Sequence, residues 1–274
     1  MYEKVMYSCT YDFLTLNNVL IDNQFGFRKG RSCEHALLAA QNEVLTSLSK
    51  KQISLLLLID FSKAFDMVDH DILLDKLYHY GIRGIAHAWF KSYLSERKQY
   101  VVLNNKFSAT LDMLYGVPHG SILGPLLSII YINYIPNINN ICKFVLYADD
   151  ANILITGSNI TEIMDIFNIL AKNLEIWVSS NGLALNLKKT NYMIFSNRKI
   201  QELTFKPKLC NYEIERQTSA RFLGVIVNEN LSWKEHIIAV KAKMSRYVGV
   251  LYKLKLILPL SARKIYSIVL SNLT

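Results

Sequence analysis

The sequence predicts a mixed α+β fold with antiparallel strand pairing, and three observations lead there. Ile53 to Ile59 is a short, nearly continuous apolar run that stops at an acid, Asp60, as a buried strand does. Lys143–Ala148 and Ala151–Thr156 read as two strands joined by Asp149 and Asp150, a hairpin with two carboxylates at its tip. Ile160, Ile163, Phe167, Leu170, Leu174 and Trp177 then recur at spacings of three and four, the apolar stripe of an amphipathic helix.

The remaining elements follow in chain order. Residues 34 to 50 read as a helix with Leu37, Ala40, Val44, Leu45 and Leu48 on one face. Residues 71 to 80 read as a second helix, acidic at its start and closed by Gly81. A third, over 85 to 94, presents Trp89, Phe90 and Tyr93. Gln99 to Leu103 reads as a strand, and Gly120 opens a long apolar helix to about Ile135. Asn181-Gly182 stops the striped helix with a left-handed cap. Tyr192–Ser196 and Phe222–Val227 read as further strands. Ser232 and Glu235 have the spacing of a capping box. The helix they open has an apolar face of Ile237, Val240, Met244, Tyr247, Leu251 and Leu254.

Composition narrows the function classes. The chain has 274 residues and a net charge of +9, is 51% hydrophobic, and contains only 11 Gly and 5 Pro, which excludes a disordered or collagen-like chain. From Ser232 to Lys264 eight basic residues stand against one acid, Glu235, so this stretch supplies most of the positive charge and suits a polyanionic partner. The apolar stretch Ile122–Ile135 is interrupted by Gly124, Pro125, Ser128 and Asn133 and is too short to span a bilayer. No signal peptide is visible. Cys9, Cys33, Cys142 and Cys210 form no CxxC or Cys/His cluster, so neither a zinc site nor a disulfide framework is expected.

The chemistry is expected at Asp60, Asp149 and Asp150. Carboxylates gathered at strand ends are costly unless they bind cations or pair with bases. A few hard oxygen donors in a basic protein suit Mg²⁺, which keeps waters and shares its shell with phosphates. Taken singly, an Asp-Asp hairpin turn is also common as mere turn chemistry.

The flanking text carries more. Ile59-Asp60-Phe61-Ser62-Lys63-Ala64-Phe65-Asp66, then Gly116-Val117-Pro118-His119-Gly120-Ser121-Ile122-Leu123-Gly124-Pro125, then Tyr147-Ala148-Asp149-Asp150 resembles the reverse transcriptases in motif type and order. More narrowly it is similar to the enzymes of non-LTR, LINE-type, jockey-like retrotransposons. Gln24-Phe25-Gly26-Phe27-Arg28-Lys29-Gly30-Arg31-Ser32, Asn181–Asn186 with Lys189-Thr190, and Arg221-Phe222-Leu223-Gly224 extend the match over roughly 24 to 236.

That resemblance implies a right-hand polymerase. Residues 1–58 would be partial fingers, 59–228 a palm carrying inserted fingers helices at about 71–110, and 229–274 the start of a thumb. It implies RNA-directed DNA synthesis from an RNA template, a DNA primer and dNTPs, with two Mg²⁺ ions (Mn²⁺ as substitute). Asp60, Asp149 and Asp150 would be the catalytic metal ligands, and Lys189 would protonate pyrophosphate. Phe61 and Ala64 would lie near the triphosphate. Phe65 would be the steric gate against a ribose 2′-hydroxyl, and Pro118, His119 and Gly120 would shape the nascent base-pair pocket. Phe222, Leu223 and Gly224 would be the primer grip. Arg28, Lys29 and Arg31 would contact phosphates, and Lys241 and Arg246 would track the duplex backbone. An intracellular life, in nucleus and cytoplasm, would follow from the element's cycle.

There are departures. His119 stands where the family usually has Gln, Cys33 where Ser or Thr is usual, and Ala151 where Thr is frequent. Ser128 and Tyr134 replace a usual aromatic and a usual Asp. The upstream fingers, an endonuclease, a zinc knuckle and most of the thumb are expected to be absent, which leaves a catalytically silent nucleic-acid-binding fragment as the alternative. An RNA-dependent RNA polymerase is disfavoured by Tyr-Ala-Asp-Asp and by Phe65.

Overall fold

The computed structural model describes residues 2–118, 120–198, 200 and 206–254. The chain opens on a helix the sequence reading did not foresee, α1 (Tyr2–Leu16), which buries Thr10, Tyr11 and Leu14. Helix α2 (Cys33–Ser49) is capped by Ser32, whose hydroxyl accepts the His35 N–H. Its buried face is Ala36, Ala40, Val44 and Ser47, and Leu45 is exposed. The expected stripe was therefore rotated, because small residues let this helix lie close to the sheet.

Strand β1 (Ile53–Ile59) is buried along its whole length. Helix α3 (His70–His79) starts at Asp69, whose carboxylate accepts from Asp71 N and Ile72 N. Helix α4 (Gly84–Leu94) buries Phe90 and Leu94 and stacks Trp89 on Tyr93 at 5.3 Å between ring centroids. The single strand expected over Gln99–Leu103 is instead divided. β2 (Lys98–Gln99), β3 (Val102–Leu103), β4 (Lys106–Phe107) and β5 (Leu111–Asp112) form two exposed ladders, β2 with β5 and β3 with β4. The break falls where Val101 N donates to the Ser108 hydroxyl rather than to a backbone carbonyl.

The apolar helix is shorter than expected: α5 (Gly124–Ile132) is followed by a 3₁₀ turn over Ile135–Ile138. Pro125 sets its start, since a proline fits the first helical turn, and Pro136 lies in the tighter turn beyond it. Strands β6 (Lys143–Tyr147) and β7 (Asp150–Gly157) lead into α6 (Ile160–Ser180). α6 buries Ile163, Phe167, Leu170 and Leu174, as its stripe requires, and ends at Asn181 with Gly182 at φ 61°. Strands β8 (Asn191–Phe195), β9 (Lys208–Leu209), β10 (Tyr212–Glu213) and β11 (Glu215–Arg216) follow.

The main sheet runs β11-β8-β1-β7-β6, with β1 at its centre, antiparallel to β7 and β8; only the β11–β8 pair is parallel. Side-chain alternation divides β1 between two layers. Ile53, Leu55, Leu57 and Ile59 join the large core with Phe167, Leu170 and Leu127. The even positions take the other face, where the Ser54 and Ser47 hydroxyls bond each other across β1 and α2. Helices α3, α5 and α6 are tied together by Lys76, which donates to the Tyr131 carbonyl and to Asn181 Oδ1, while the Tyr131 hydroxyl donates to the Asn181 carbonyl.

The chain divides into two compact units at Gln217/Thr218. In the second, β12 (Ser219–Phe222) pairs with β13 (Val225–Asn228) through Leu223-Gly224, at φ 48° and 87°. Two left-handed residues make a two-residue hairpin turn, which cuts the strand expected over Phe222–Val227. Helix α7 (Lys234–Leu254) follows. The expected capping box is half formed: Ser232 Oγ accepts Lys234 N, but Ser232 N donates to Asn228, and Glu235 turns to Ser219 and Asn228 instead. Ile237 and Met244 of its expected apolar face are exposed, and the side chains of Leu251 and Leu254 lie outside the described set. Among the described residues no helix is long and apolar enough to cross a membrane. Cys9, Cys33, Cys142 and Cys210 are all free thiols.

Candidate active site

The site begins where β1 ends. Ile59 pairs with Ala151 of β7, so the next residue along β1, Asp60, is carried beside Asp150, the first residue of β7. Tyr147 pairs with Asp150 across the β6–β7 hairpin, which leaves Ala148 and Asp149 as the two-residue loop. The tip thus lies one residue earlier than the sequence suggests, at Ala148-Asp149 rather than Asp149-Asp150. The turn is possible because Ala148 adopts φ 54°, a left-handed conformation uncommon for alanine. Asp149 stands in the loop and Asp150 belongs to the strand.

The three acids act on one another. The Asp150 carboxyl is pushed up to about 6, first by partial desolvation at the sheet end, then by the negative charges of Asp149 and Asp60. Its side chain still reaches solvent, so the crowding is that of a rim rather than a sealed pocket. Among the described residues, no three His, Cys, Asp or Glu side chains converge closely enough to hold a metal ion as they stand. The donor set is nonetheless one of hard oxygens at a point of crowded negative charge, which is chemistry that suits a divalent cation.

Asp60 is held from the other side by the segment after α6. Asn186 N donates to the Asp60 carbonyl at 2.8 Å, Ser62 N to Ala184 O at 2.8 Å, and Phe61 bridges Leu185. That segment delivers Lys189, whose Nζ lies 3.8 Å from Asp60 Oδ2; the two side chains are 71% and 34% exposed. Lys189 therefore stands at the carboxylates, in contact with solvent.

Phe61 and Ala64 are buried. The Phe65 backbone is locked by Val117 N, which donates to its carbonyl at 2.9 Å, and by Gly116, where an added Cβ would lie 3.0 Å from Asp66 O. The half-buried Phe65 ring meets the exposed Phe27 edge-on, at 6.4 Å between centroids. Pro118 O accepts from Ser121 N and Gly120 is exposed at φ 76°, whereas His119 lies outside the described residues.

The basic residues near the N-terminus have partners within the chain. Arg28 Nη1 donates to the Leu20 and Ile21 carbonyls, and burial holds its guanidinium below the ordinary arginine range. Arg31 is bound to Asp22 and to the Gln24 carbonyl. Lys29 reaches Asp12 at 3.8 Å and lies over the Tyr11 ring. Phe222, Leu223, Gly224, Lys241 and Arg246 belong to the second unit: the first three form the hairpin turn and its approach, and the last two are exposed on α7.

Sequence reasoning attached no role to Gln24, which is only 1% exposed and grips the Ala148 backbone. Its place inside a motif was the only signal, since Ala148 lies 124 residues away.

Comparison with known proteins agrees with this geometry. The family described as reverse transcriptase (RNA-dependent DNA polymerase) matches residues 2–227. The chain is 27% identical over 250 residues to a probable RNA-directed DNA polymerase from transposon BS of Drosophila melanogaster, covering 86% of this chain and 27% of that protein. It is 28% identical to the RNA-directed DNA polymerase from mobile element jockey of Drosophila funebris, covering 80% and 24%. It thus spans about a quarter of the length of these relatives. Among solved structures, the Candida tropicalis telomerase superposes with a TM-score of 0.57 at 11% identity over 84% of this chain and 43% of that one. The Candida albicans telomerase gives 0.57 at 14% over 81% and 37%. These last similarities speak to the fold, an α+β polymerase palm. The chain belongs to the reverse transcriptase family, in the region shared with non-LTR retrotransposon proteins such as jockey.

Proposed function

We propose that this chain carries the nucleotidyl-transfer centre of RNA-directed DNA synthesis for a mobile element, extending a DNA primer with dNTPs on an RNA template. The observation that carries the reading is the mutual crowding of Asp60, Asp149 and Asp150 at one sheet end, with Asp150 retaining a proton up to about pH 6. Acids gathered at one sheet end carry a cost that the solvent-exposed Lys189 beside Asp60 offsets only in part, and a bound cation would relieve the rest. The residues that would hold Mg²⁺ are these three. When bound, such ions activate a primer 3′-hydroxyl and stabilise the leaving pyrophosphate.

The chain's own residues do the rest. Lys189, at the rim beside Asp60, is placed to give a proton to departing pyrophosphate. Phe65, fixed by Val117 and Gly116, closes the sugar side and turns away a 2′-hydroxyl. Pro118, His119 and Gly120 are assigned to the nascent base-pair pocket, with His119 outside the described residues. The Leu223-Gly224 turn with Phe222 is assigned to primer positioning. Residues 229–274 are read as the start of a thumb, in which Lys241 and Arg246 follow the duplex backbone. Arg28 and Arg31 serve the fold first, and Lys29, the most accessible of the three, is left to meet phosphate.

The test is primer extension on an RNA template with a DNA primer, dNTPs and Mg²⁺. Asp149→Asn is expected to lower extension by roughly 10²–10³, the loss typical of a key electrostatic group. Extension that survives in Asp149→Asn would remove the metal assignment. Duplex binding without any extension by the parent chain would favour a nucleic-acid-binding relic.

A further inference from the structure

The turn that carries Asp149 is clasped by a residue from the far end of the chain. Gln24 is buried, and its carboxamide reaches both polar groups of one peptide unit's neighbourhood: Oε1 accepts Ala148 N at 3.1 Å, and Nε2 donates to Ala148 O at 3.3 Å. The same Oε1 accepts Gly26 N at 2.8 Å. Two N–H groups converging on one atom fix which end of the amide is the oxygen. Backbone bonds extend the clasp along β6: Leu146 N donates to Asn23 O, and Phe25 N to Leu146 O, both at 2.8 Å.

Gly26 completes it. A Cβ on Gly26 would lie 2.1 Å from Ala148 N, so this position admits no side chain while the turn stays where it is. Ala148, at φ 54°, shares the two-residue turn with Asp149. An alanine does not hold that conformation by preference and must be held there by its surroundings.

We infer that Gln24 is a positioning residue for the catalytic turn. Its buried amide keeps Ala148 left-handed, under the cover of Gly26, so that Asp149 faces Asp60 and Asp150 in a fixed geometry. Gln24 touches no reacting atom and acts only through the Ala148 backbone. The inference rests on the proposed function for its effect on catalysis, but not for its effect on the turn.

Two variants test it. Gln24→Met keeps the volume and removes all three hydrogen bonds. Gln24→Glu keeps the acceptor for two N–H groups and loses the donor, but regains it when the acid is protonated. Gln24→Met is expected to lower kcat and Mn²⁺ affinity by on the order of 10–100-fold, as loss of an outer-layer partner of a metal ligand does. The KM for dNTP should change far less. Amide hydrogen exchange at Ala148 should accelerate while the β1 and β7 amides keep their protection. Gln24→Glu should approach the parent as pH falls, when each is compared with the parent at the same pH.

Unchanged exchange at Ala148 and unchanged Mn²⁺ affinity in Gln24→Met would overturn the inference. So would exchange that accelerates across the whole sheet, since the role would then be general stability. If the parent chain fails to extend a primer, the proposed function falls alone, and Ala148 exchange with Mn²⁺ binding still decides for or against Gln24.

Discussion

Two regions of this molecule hold charged groups among close neighbours, and they treat them in opposite ways. Between α3, α5 and α6, Lys76 is surrounded by what an ammonium needs: two oxygen acceptors, the Tyr131 ring at 4.2 Å and the Trp177 ring at 5.8 Å. Burial still pushes it down to about 8, yet every donor-hungry surface around it is an acceptor. At the sheet end where β1 stops and β7 starts, the charges of Asp60 and Asp149 bear on Asp150, and Lys189 reaches Asp60 from solvent. The first charge is satisfied within the chain and belongs to the fold. The second is met only in part by Lys189, and the proposed function assigns the remainder to a bound cation; a contrast of this kind helps to separate structural from functional ionisable groups.

The largest effect that would break the comparison lies in activity. Asp149→Asn should remove roughly 10²–10³ of extension, whereas Lys76→Met should leave the activity of the folded protein within a few fold. Equal losses would mean that the two clusters are not different in kind. Next comes selectivity at the same rim. Phe65→Ala should raise ribonucleotide incorporation relative to deoxyribonucleotide by roughly tenfold or more, since a pocket contact of this size discriminates on that scale. An unchanged ratio would take the gate away from Phe65 and leave it a packing residue beside Phe27.

A smaller effect sharpens the contrast without any turnover. The Asp150 carboxyl is raised from its ordinary value of 3.8 to about 6, so the folded state holds a proton that the unfolded chain has released. Its favourable contribution is complete below the ordinary aspartate range and is lost as pH rises through about 6. If the proposed Mg²⁺ site is real, a bound ion would compete with that proton, and its stabilisation should be larger at pH 7.5 than at pH 5, by on the order of a few degrees in Tm. Asp150→Asn should abolish the difference. Equal Mg²⁺ increments at both pH values would show that the acids do not share an ion.

Much of this was legible in the sequence, for reasons that differ by element. β1 was readable because a central strand is apolar on both faces, and α6 because its stripe is periodic over its full length. Asp60 was readable as the residue that ends an apolar strand, and the motif order supplied the role proposed for it and for Asp149 and Asp150. The hairpin tip was misplaced by one residue because Ala148 takes its conformation from Gln24 and Gly26, a contact no local propensity encodes. α1 buries only Thr10, Tyr11 and Leu14, too short a pattern to stand out, and α2 was rotated because three of its four buried residues, Ala36, Ala40 and Ser47, are small and carry little hydrophobic signal. Arg28 and Arg31 looked like phosphate ligands, but the carbonyls that occupy them are supplied by loop geometry, which only the folded chain reveals.

The smallest effect concerns Lys76 and asks whether its charge is satisfied in fact. Lys76→Met leaves the Tyr131 carbonyl and Asn181 Oδ1 without their donor, which should cost about 1–3 kcal/mol of stability. The pH dependence has a definite sign. A lysine lowered to about 8 binds fewer protons in the folded state than in the unfolded one between about 8 and its ordinary value of 10.5. Its contribution is therefore present above the ordinary lysine range and lost as pH falls through about 8. Urea unfolding of parent and Lys76→Met at pH 8 and pH 10 should show a gap that widens with pH. A gap that stays constant would mean that the oxygen atoms and aromatic faces hold the ammonium charged at no cost, making the node still more unlike the acids at the end of β1.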